Sequence, residues 1–199
     1  MHILFNNTNI DTSNYKRKIY KKNEIIFNEG ENCKYIGLVE TGNIRITTYT
    51  YNEKEYEIKN ISENGLFGEF LIFSNSKYFG TGIATKNTTI LFITKNDLIK
   101  LMENNIFAEN YLKLTSNINI KQQYKIKLLS QKEIRDKIMF LLVEHQKATN
   151  HNVYYFETKE KLASFLNITR PSLSRELKNM KKDNLIDYNI NSITIKKWV

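Results

Sequence analysis

The residues Thr169-Arg170-Pro171-Ser172-Leu173-Ser174-Arg175 concentrate the side chains in this chain best able to read a polyanion. A guanidinium presents a rigid fork of N–H donors, so Arg175 can donate bidentately to the O6 and N7 of a guanine. Arg170 can reach a base edge or a phosphate. Ser172 and Ser174 add hydroxyls at the same end, and Thr169 can cap the free N–H groups of a helix that starts at Arg170. Pro171, the only proline, falls in the first turn of that helix, where a missing N–H costs nothing. Lys178, and Lys181 and Lys182 beyond it, suit phosphate oxygens or water. The chain has only five arginines, and two of them lie in this stretch. That favours a nucleic-acid interface over a chance surface cluster.

Other chemistries find little support. No nucleophile–base arrangement, P-loop or dinucleotide fingerprint occurs, and Glu69 is the only carboxylate expected in a cleft, so an enzyme is not expected. Cys33 is the single cysteine, which rules out an intrachain disulfide and an iron–sulfur cluster. It reads as a small, semi-buried residue. His2, His145 and His151 match no zinc spacing, so no metal is expected.

The elements that must hold the arginines can be read around them. Thr158 opens a helix with Leu162, Ala163, Phe165 and Leu166 on its apolar side, and Asn167-Ile168-Thr169 breaks it. The second helix runs from Arg170 through Leu173, Leu177 and Met180 to about Asp183. Two short helices joined by a three-residue turn form a helix-turn-helix, with Ala163 at the close approach and Ile168 plugging the turn. Val153–Phe156 reads as a strand before the pair. Leu185–Tyr188 and Ser192–Ile195 read as a hairpin after it, which is the wing of a winged helix.

Upstream, Ser130-Gln131-Lys132-Glu133 has the form of a capping box for a helix over Ile134–His145, followed by a polar loop at Lys147–Asn152. A longer helix is expected from about Asn105 to Ser130. Its Phe107, Tyr111, Leu114 and Ile118 follow a seam-like spacing that suits a partner helix or ordinary packing, with Lys121 and Lys125 interrupting it. Thr94 or Asp97 can cap a short helix beginning at Leu98. All seven glycines lie between Gly30 and Gly82. Over 15–95 the pattern is short strands closed by Gly and Asn turns: Tyr35–Val39, Ile44 into Thr47–Tyr51, a turn at Asn52-Glu53-Lys54, Tyr56 and Ile58, Ile83–Ala84, a turn at Asn87–Thr88, and Ile90–Ile93. This suggests a β-roll or small barrel.

Composition fits that reading. Hydrophobic residues make up 41% and aromatics 12%, enough for a core. No apolar run reaches the roughly 18 residues of a membrane span and no signal peptide is evident, so a cytoplasmic protein without membrane association is expected. The net charge of +9 is uneven: +1 over residues 1–97 and +8 over 98–199. Ile, Asn and Lys are so abundant that an AT-rich genome is expected, which inflates Lys and leaves Arg as the cleaner signal.

Taken together, these motifs resemble the Crp/Fnr family of bacterial transcription regulators over nearly the whole chain. Thr169–Leu177 is similar to the family's recognition helix. Asn28-Glu29-Gly30-Glu31, Gly42 and Gly65-Leu66-Phe67-Gly68-Glu69 match the glycine landmarks of its cyclic-nucleotide-binding domain. The resemblance implies an α+β fold with a β-roll effector-binding-like domain (1–97), a helical link and dimerisation helix (98–130) and a winged helix-turn-helix (131–199). It implies a homodimer on a palindromic site in double-stranded DNA, with RNA polymerase a further candidate partner. The DNA-reading residues would be Thr169, Arg170, Ser172, Ser174, Arg175 and Lys178. Phe107, Tyr111, Leu114 and Ile118 would lie at the dimer seam, and an effector would lie near Gly68, Glu69, Phe79 and Gly80. Two departures stand out. The family's phosphate-binding Arg-Ser pair is replaced by Phe79-Gly80, which argues against cyclic AMP and for another effector or none. Pro171 also stands where many members have a Glu, so the half-site should differ there. The alternatives are a winged-helix protein–protein module and a ligand sensor without a specific DNA target.

Overall fold

In a strand, alternate side chains face opposite sides, so a sheet covered on both faces needs apolar residues in continuous runs. Ile36–Val39 and Ile90–Ile93 are such runs. The computed structural model, which describes residues 2–49, 51–53 and 55–196, places them in the centre of one sheet. The chain divides into two compact units, Met1–Ser116 and Asn117–Val199.

The first unit holds β1 (Lys16–Tyr20), β2 (Ile25–Phe27), β3 (Tyr35–Thr41), β4 (Asn43–Tyr49), β5 (Glu55–Ser62), β6 (Leu66–Phe67), β7 (Thr81–Ala84) and β8 (Thr88–Thr94). They form two four-stranded antiparallel sheets, ordered β1-β8-β3-β6 and β2-β7-β4-β5, which enclose a jelly-roll-like interior. Tyr20, Phe27, Val39, Ile44, Ile61, Phe67, Ala84 and Ile90 fill it. Ile36, Leu38, Leu91 and Ile93 are buried on the opposite face of the first sheet. β1, β2 and β6 carry no sequence pattern strong enough to announce them. Thr88, expected in a turn, is the first residue of β8. Of the expected turn at Asn52–Lys54, Lys54 lies outside the described residues, as does Thr50 of the Thr47–Tyr51 stretch.

Helix α1 (Lys95–Leu101) follows β8 directly. Its cap is Thr94, whose Oγ1 accepts from the Asp97 N–H at 3.1 Å. Helix α2 (Asn105–Leu129) starts on a cap the sequence did not advertise, Asn104, whose Oδ1 accepts from the Phe107 N–H at 3.0 Å. The division between the two units falls inside α2.

The second unit holds the rest of α2, α3 (Ile134–Thr149), β9 (Val153–Tyr155), α4 (Lys159–Phe165), α5 (Arg170–Lys182), β10 (Ile186–Tyr188) and β11 (Ser192–Ile195). The strands form an antiparallel sheet ordered β10-β11-β9. The expected capping box is corrected. Glu133 is the N-cap of α3 and makes no side-chain cap bond, while the Ser130 hydroxyl donates back to the Lys127 carbonyl at the end of α2. Free carbonyls at the end of α2 compete for that hydroxyl. α3 also runs into the expected Lys147–Asn152 loop as far as Thr149 and ends on left-handed Asn150.

His2 ties the start of the chain to the roll. Its Nδ1 accepts from the Leu4 N–H at 3.3 Å and its Nε2 lies 3.2 Å from the Gly65 carbonyl. Nε2 must therefore carry the proton, and the ring is neutral. Burial pushes its pKa below the ordinary 6.5. The unfolded chain then takes up a proton that the folded chain refuses, so this contribution is complete above 6.5 and is lost as pH falls through the window below it. Urea melts followed by tyrosine fluorescence should show stability falling as pH drops below 6.5. His2→Ala should flatten that dependence and cost about 1–3 kcal/mol near pH 7.

Candidate nucleic-acid interface and roll pocket

Leu173, Leu177 and Met180 recur every three or four residues and are completely buried, so one stripe of α5 faces the core. Each such burial is worth roughly 1.5–3 kcal/mol. With that stripe inside, the polar face must point outward. Thr169 caps α5 as expected: its Oγ1 accepts from the Ser172 N–H at 3.2 Å and sits 2.8 Å from the Ser172 hydroxyl. Pro171 lies in the first turn. Ala163 is buried at the α4–α5 approach, and its carbonyl accepts from the Ile168 N–H at 3.0 Å, closing the turn around left-handed Asn167. Two lysines hold the carbonyl end of α4. Lys125 donates to the Phe165 carbonyl and lies 4.0 Å from that ring's centre, and Lys137 donates to the Leu166 carbonyl at 3.4 Å. Cations at a helix C-terminus are favourable. Lys125, which broke the seam pattern, is thus used within its own unit.

The structure sorts the charged residues of α5. Arg175, Lys178 and Lys182 are exposed, with no carboxylate at ion-pair distance among the described residues. Ser172 and Ser174 are half-buried on the same helix. Arg170 is paired: its Nε lies 2.7 Å from Glu160 on α4, with both side chains more than half exposed, so the pair is weak and exchangeable. Arg135 on α3 clamps Glu176 at 2.7 Å and grips Asp183 at 2.7 Å, fastening the middle and the C-terminal end of α5 to α3. Lys181, expected at phosphate or in water, points to the wing and pairs with Asp187 at 2.6 Å, and Lys196 adds a contact at 3.4 Å. The Lys181 ammonium, with the Tyr188 N–H, holds the Asp187 carboxyl at about 2. The wing is the β10–β11 hairpin, its turn closed by the Asn189 N–H on the Ser192 carbonyl.

In the roll, Gly68, Glu69 and Gly80 are buried while Phe79 is not. Gly68 has φ +83°, and a Cβ there would lie 2.6 Å from the Tyr35 carbonyl, so only glycine fits. A Cβ on Gly80 would meet the Thr47 carbonyl at 2.6 Å and Ile58 at 2.9 Å. Glu69 is paired with Lys59 of β5 at 3.2 Å. Strand β5 thus lies against both Gly80 and Glu69, whereas the Phe79 ring is 72% exposed and turned outward. The residues fit a cyclic nucleotide poorly. Phe79 supplies no cation for a phosphate, and Lys59 is already neutralised by Glu69.

The seam residues need one correction. Phe107 is completely buried by its own chain, 5.4 Å from Phe5 and 6.3 Å from Tyr111 between ring centres. It has no surface left for a partner. Tyr111, Leu114 and Ile118 are half-buried. The aliphatic side chains α2 leaves in solvent are instead Ile106, Leu112, Ile120 and Ile126.

Comparison with known proteins agrees with this architecture. Residues 17–105 match the model of the cyclic nucleotide-binding domain, and residues 137–198 match that of the Crp-like helix-turn-helix domain. The cyclic AMP receptor protein of Thermus thermophilus is 21% identical over 175 residues, covering 87% of this chain and 81% of its own. The anaerobic regulatory protein of Bacillus subtilis is 23% identical over 185 residues, covering 89% and 77%. Among solved structures, a CooA mutant from Carboxydothermus hydrogenoformans superposes with a TM-score of 0.68 at 19% identity, covering 99% of this chain and 92% of its own. OCPA-complexed CprK superposes at 0.72 with 13% identity, covering 94% and 89%. A β-roll followed by a long helix and a winged helix-turn-helix defines a class of DNA-binding regulator. The chain belongs to the Crp/Fnr family of transcription regulators, and its function is regulation through DNA rather than catalysis.

If Arg175 reads a base, Arg175→Ala should cost about 1–3 kcal/mol of specific affinity and relax preference at one position of the site, as measured by fluorescence anisotropy on single-base variants. Lys181→Ala should leave base preference unchanged, because its charge is spent on Asp187.

Proposed function

We propose that the protein binds a two-fold symmetric site in double-stranded DNA as a homodimer, with the N-terminal end of α5 in the major groove. The observation that carries this reading is the exposed Arg175, without a carboxylate partner among the described residues, on a helix whose opposite stripe is locked in the core. Thr169, Ser172 and Ser174 lie at the same end of α5. Arg170 joins the interface by exchanging the exposed Glu160 carboxylate for a phosphate or base. Lys178 and Lys182 supply charge to the backbone. Among these cations, Lys178 should act without sequence preference, and Lys178→Ala should lower the salt slope of binding by about one.

Functionally the chain divides into a roll (1–97), a helical link (98–130) and a winged domain (131–199). The half-buried, seam-spaced Tyr111, Leu114 and Ile118 on α2 are the surface we assign to the second copy. The outward Phe79 and the Glu69–Lys59 pair support control by an effector other than cyclic AMP, or activity without one. RNA polymerase is the machinery that such DNA occupancy would act on, and the cytoplasm is where the protein would meet both.

Selection of bound sequences from a random duplex library by the ligand-free protein tests the reading. The expected outcome is a palindrome with half-sites about 34–36 Å apart. A single unpaired half-site, or salt-sensitive binding without sequence enrichment, would overturn it. Leu114→Glu with Ile118→Glu should yield monomers by light scattering and abolish high-affinity palindrome binding, while thermal unfolding of the winged domain stays intact.

A further inference from the structure

One open end of the roll holds a cavity of about 370 Å³ that none of Gly68, Glu69, Phe79 or Gly80 lines. Half of its lining is aromatic: Tyr35, Tyr78 and Phe92 are partly open to solvent, and buried Tyr20, Phe27 and Phe67 lie beneath them. These rings are fixed by one another. Phe27 and Tyr78 stack with centres 4.0 Å apart, and Tyr35 and Phe67 each present an edge-on contact to Phe92, at 5.9 and 6.4 Å. The backbone makes room for them. A Cβ on Gly37 would lie 2.0 Å from the Phe67 ring, and one on Gly82 would lie 2.4 Å from Phe27. Rigid rings around an open volume favour a flat, aromatic occupant, because they gain stacking and edge contacts without losing side-chain freedom. The volume lies at the lower end of small-molecule pockets, about 300–1,000 Å³.

The mouth is net positive, with three lysines against Glu31. Lys16 and Lys18 project from alternate positions of β1, and Lys34 completes the lining. The Lys18 ammonium lies 4.4 Å from the centre of the Tyr20 ring, over the aromatic wall. None of the three has a carboxylate at ion-pair distance among the described residues. The only acidic lining residue, Glu31, is occupied by Asn28, which donates its N–H at 3.2 Å and its Nδ2 at 2.7 Å. Glu31 reaches Lys34 only through the longer-range field between their charges. An occupant with an aromatic body and an anionic end satisfies both halves of the lining. An inorganic anion would use the lysines alone, and a neutral ring would use the walls alone.

We propose that this cavity is a binding site for a small aromatic carboxylate, separate from the Gly68–Gly80 region of the roll. The test is fluorine NMR of 4-fluorophenylacetate with the full chain, with 4-fluorophenethyl alcohol as the neutral match and acetate as the non-aromatic competitor. Saturable binding with Kd at or below about 1 mM is expected. The alcohol should bind about fivefold more weakly, as should the carboxylate to Lys18→Gln/Lys34→Gln, whose exposed substitutions leave the fold intact. Acetate should not displace the probe. In glycine-labelled protein, the probe should shift the Gly37 and Gly82 amides. No saturation up to about 10 mM, a value far beyond useful affinity, would overturn the proposal. So would equal binding of acid and alcohol, or shifts confined to Gly68 and Gly80. Occupancy is read without DNA, so failure here would leave the proposed DNA site standing.

Discussion

Everything at the candidate nucleic-acid face depends on one constraint: a helix with a single apolar stripe has only one way to be buried. Leu173, Leu177 and Met180 enter a core shared with Leu162, Leu166, Ile186 and Ile193, and no rotation of α5 could expose them without losing several kcal/mol. That fixes the outward direction of Arg175 and Lys178. Arg135 then fixes position as well as rotation, by gripping Glu176 and Asp183 from α3. The carbonyl end of α4, which sets the angle of the turn, is held by Lys125 and Lys137.

The same structure shows why a net positive charge is a poor guide to a binding face. Basic residues of the winged unit divide into those spent inside it and those left over. Arg135, Lys125, Lys137 and Lys181 all answer a carboxylate or a carbonyl of their own unit. Arg170 is held weakly, in a pair open to water. Only the remainder can meet a phosphate backbone without first breaking something.

In the roll, two aromatic-rich regions behave differently. Phe79 turns outward at the position where the family's nucleotide-binding members carry a cation, and Glu69 is satisfied by Lys59. The second region, at the open end, is lined by locked rings and by lysines with no carboxylate at ion-pair distance among the described residues. The domain shares its architecture with the family, while what each region can bind is set by its own side chains, because function resides in sites built onto a shared fold.

The sequence by itself determined that a strand-rich stretch precedes a helical one, the helix-turn-helix with its Thr158 and Thr169 caps, and the wing. These depend on local periodicity and cap chemistry, which neighbouring residues encode. It also placed Arg170 and Arg175 in the N-terminal half of the second helix of the pair. It could not show that Ser130 closes α2 instead of opening α3, because either helix end can use a hydroxyl. It gave β1, β2 and β6 no clear signal, since short strands at sheet edges need little apolar alternation. The abundance of Asn looked compositional, yet Asn7, Asn9, Asn23, Asn64, Asn75, Asn150, Asn167 and Asn184 all stand in left-handed turns. Only the tertiary structure decided which charges are free, why Phe107 belongs to its own core, and that distant strands bring six rings and three lysines around one cavity. Such pairings join residues far apart in sequence, and no local pattern records them.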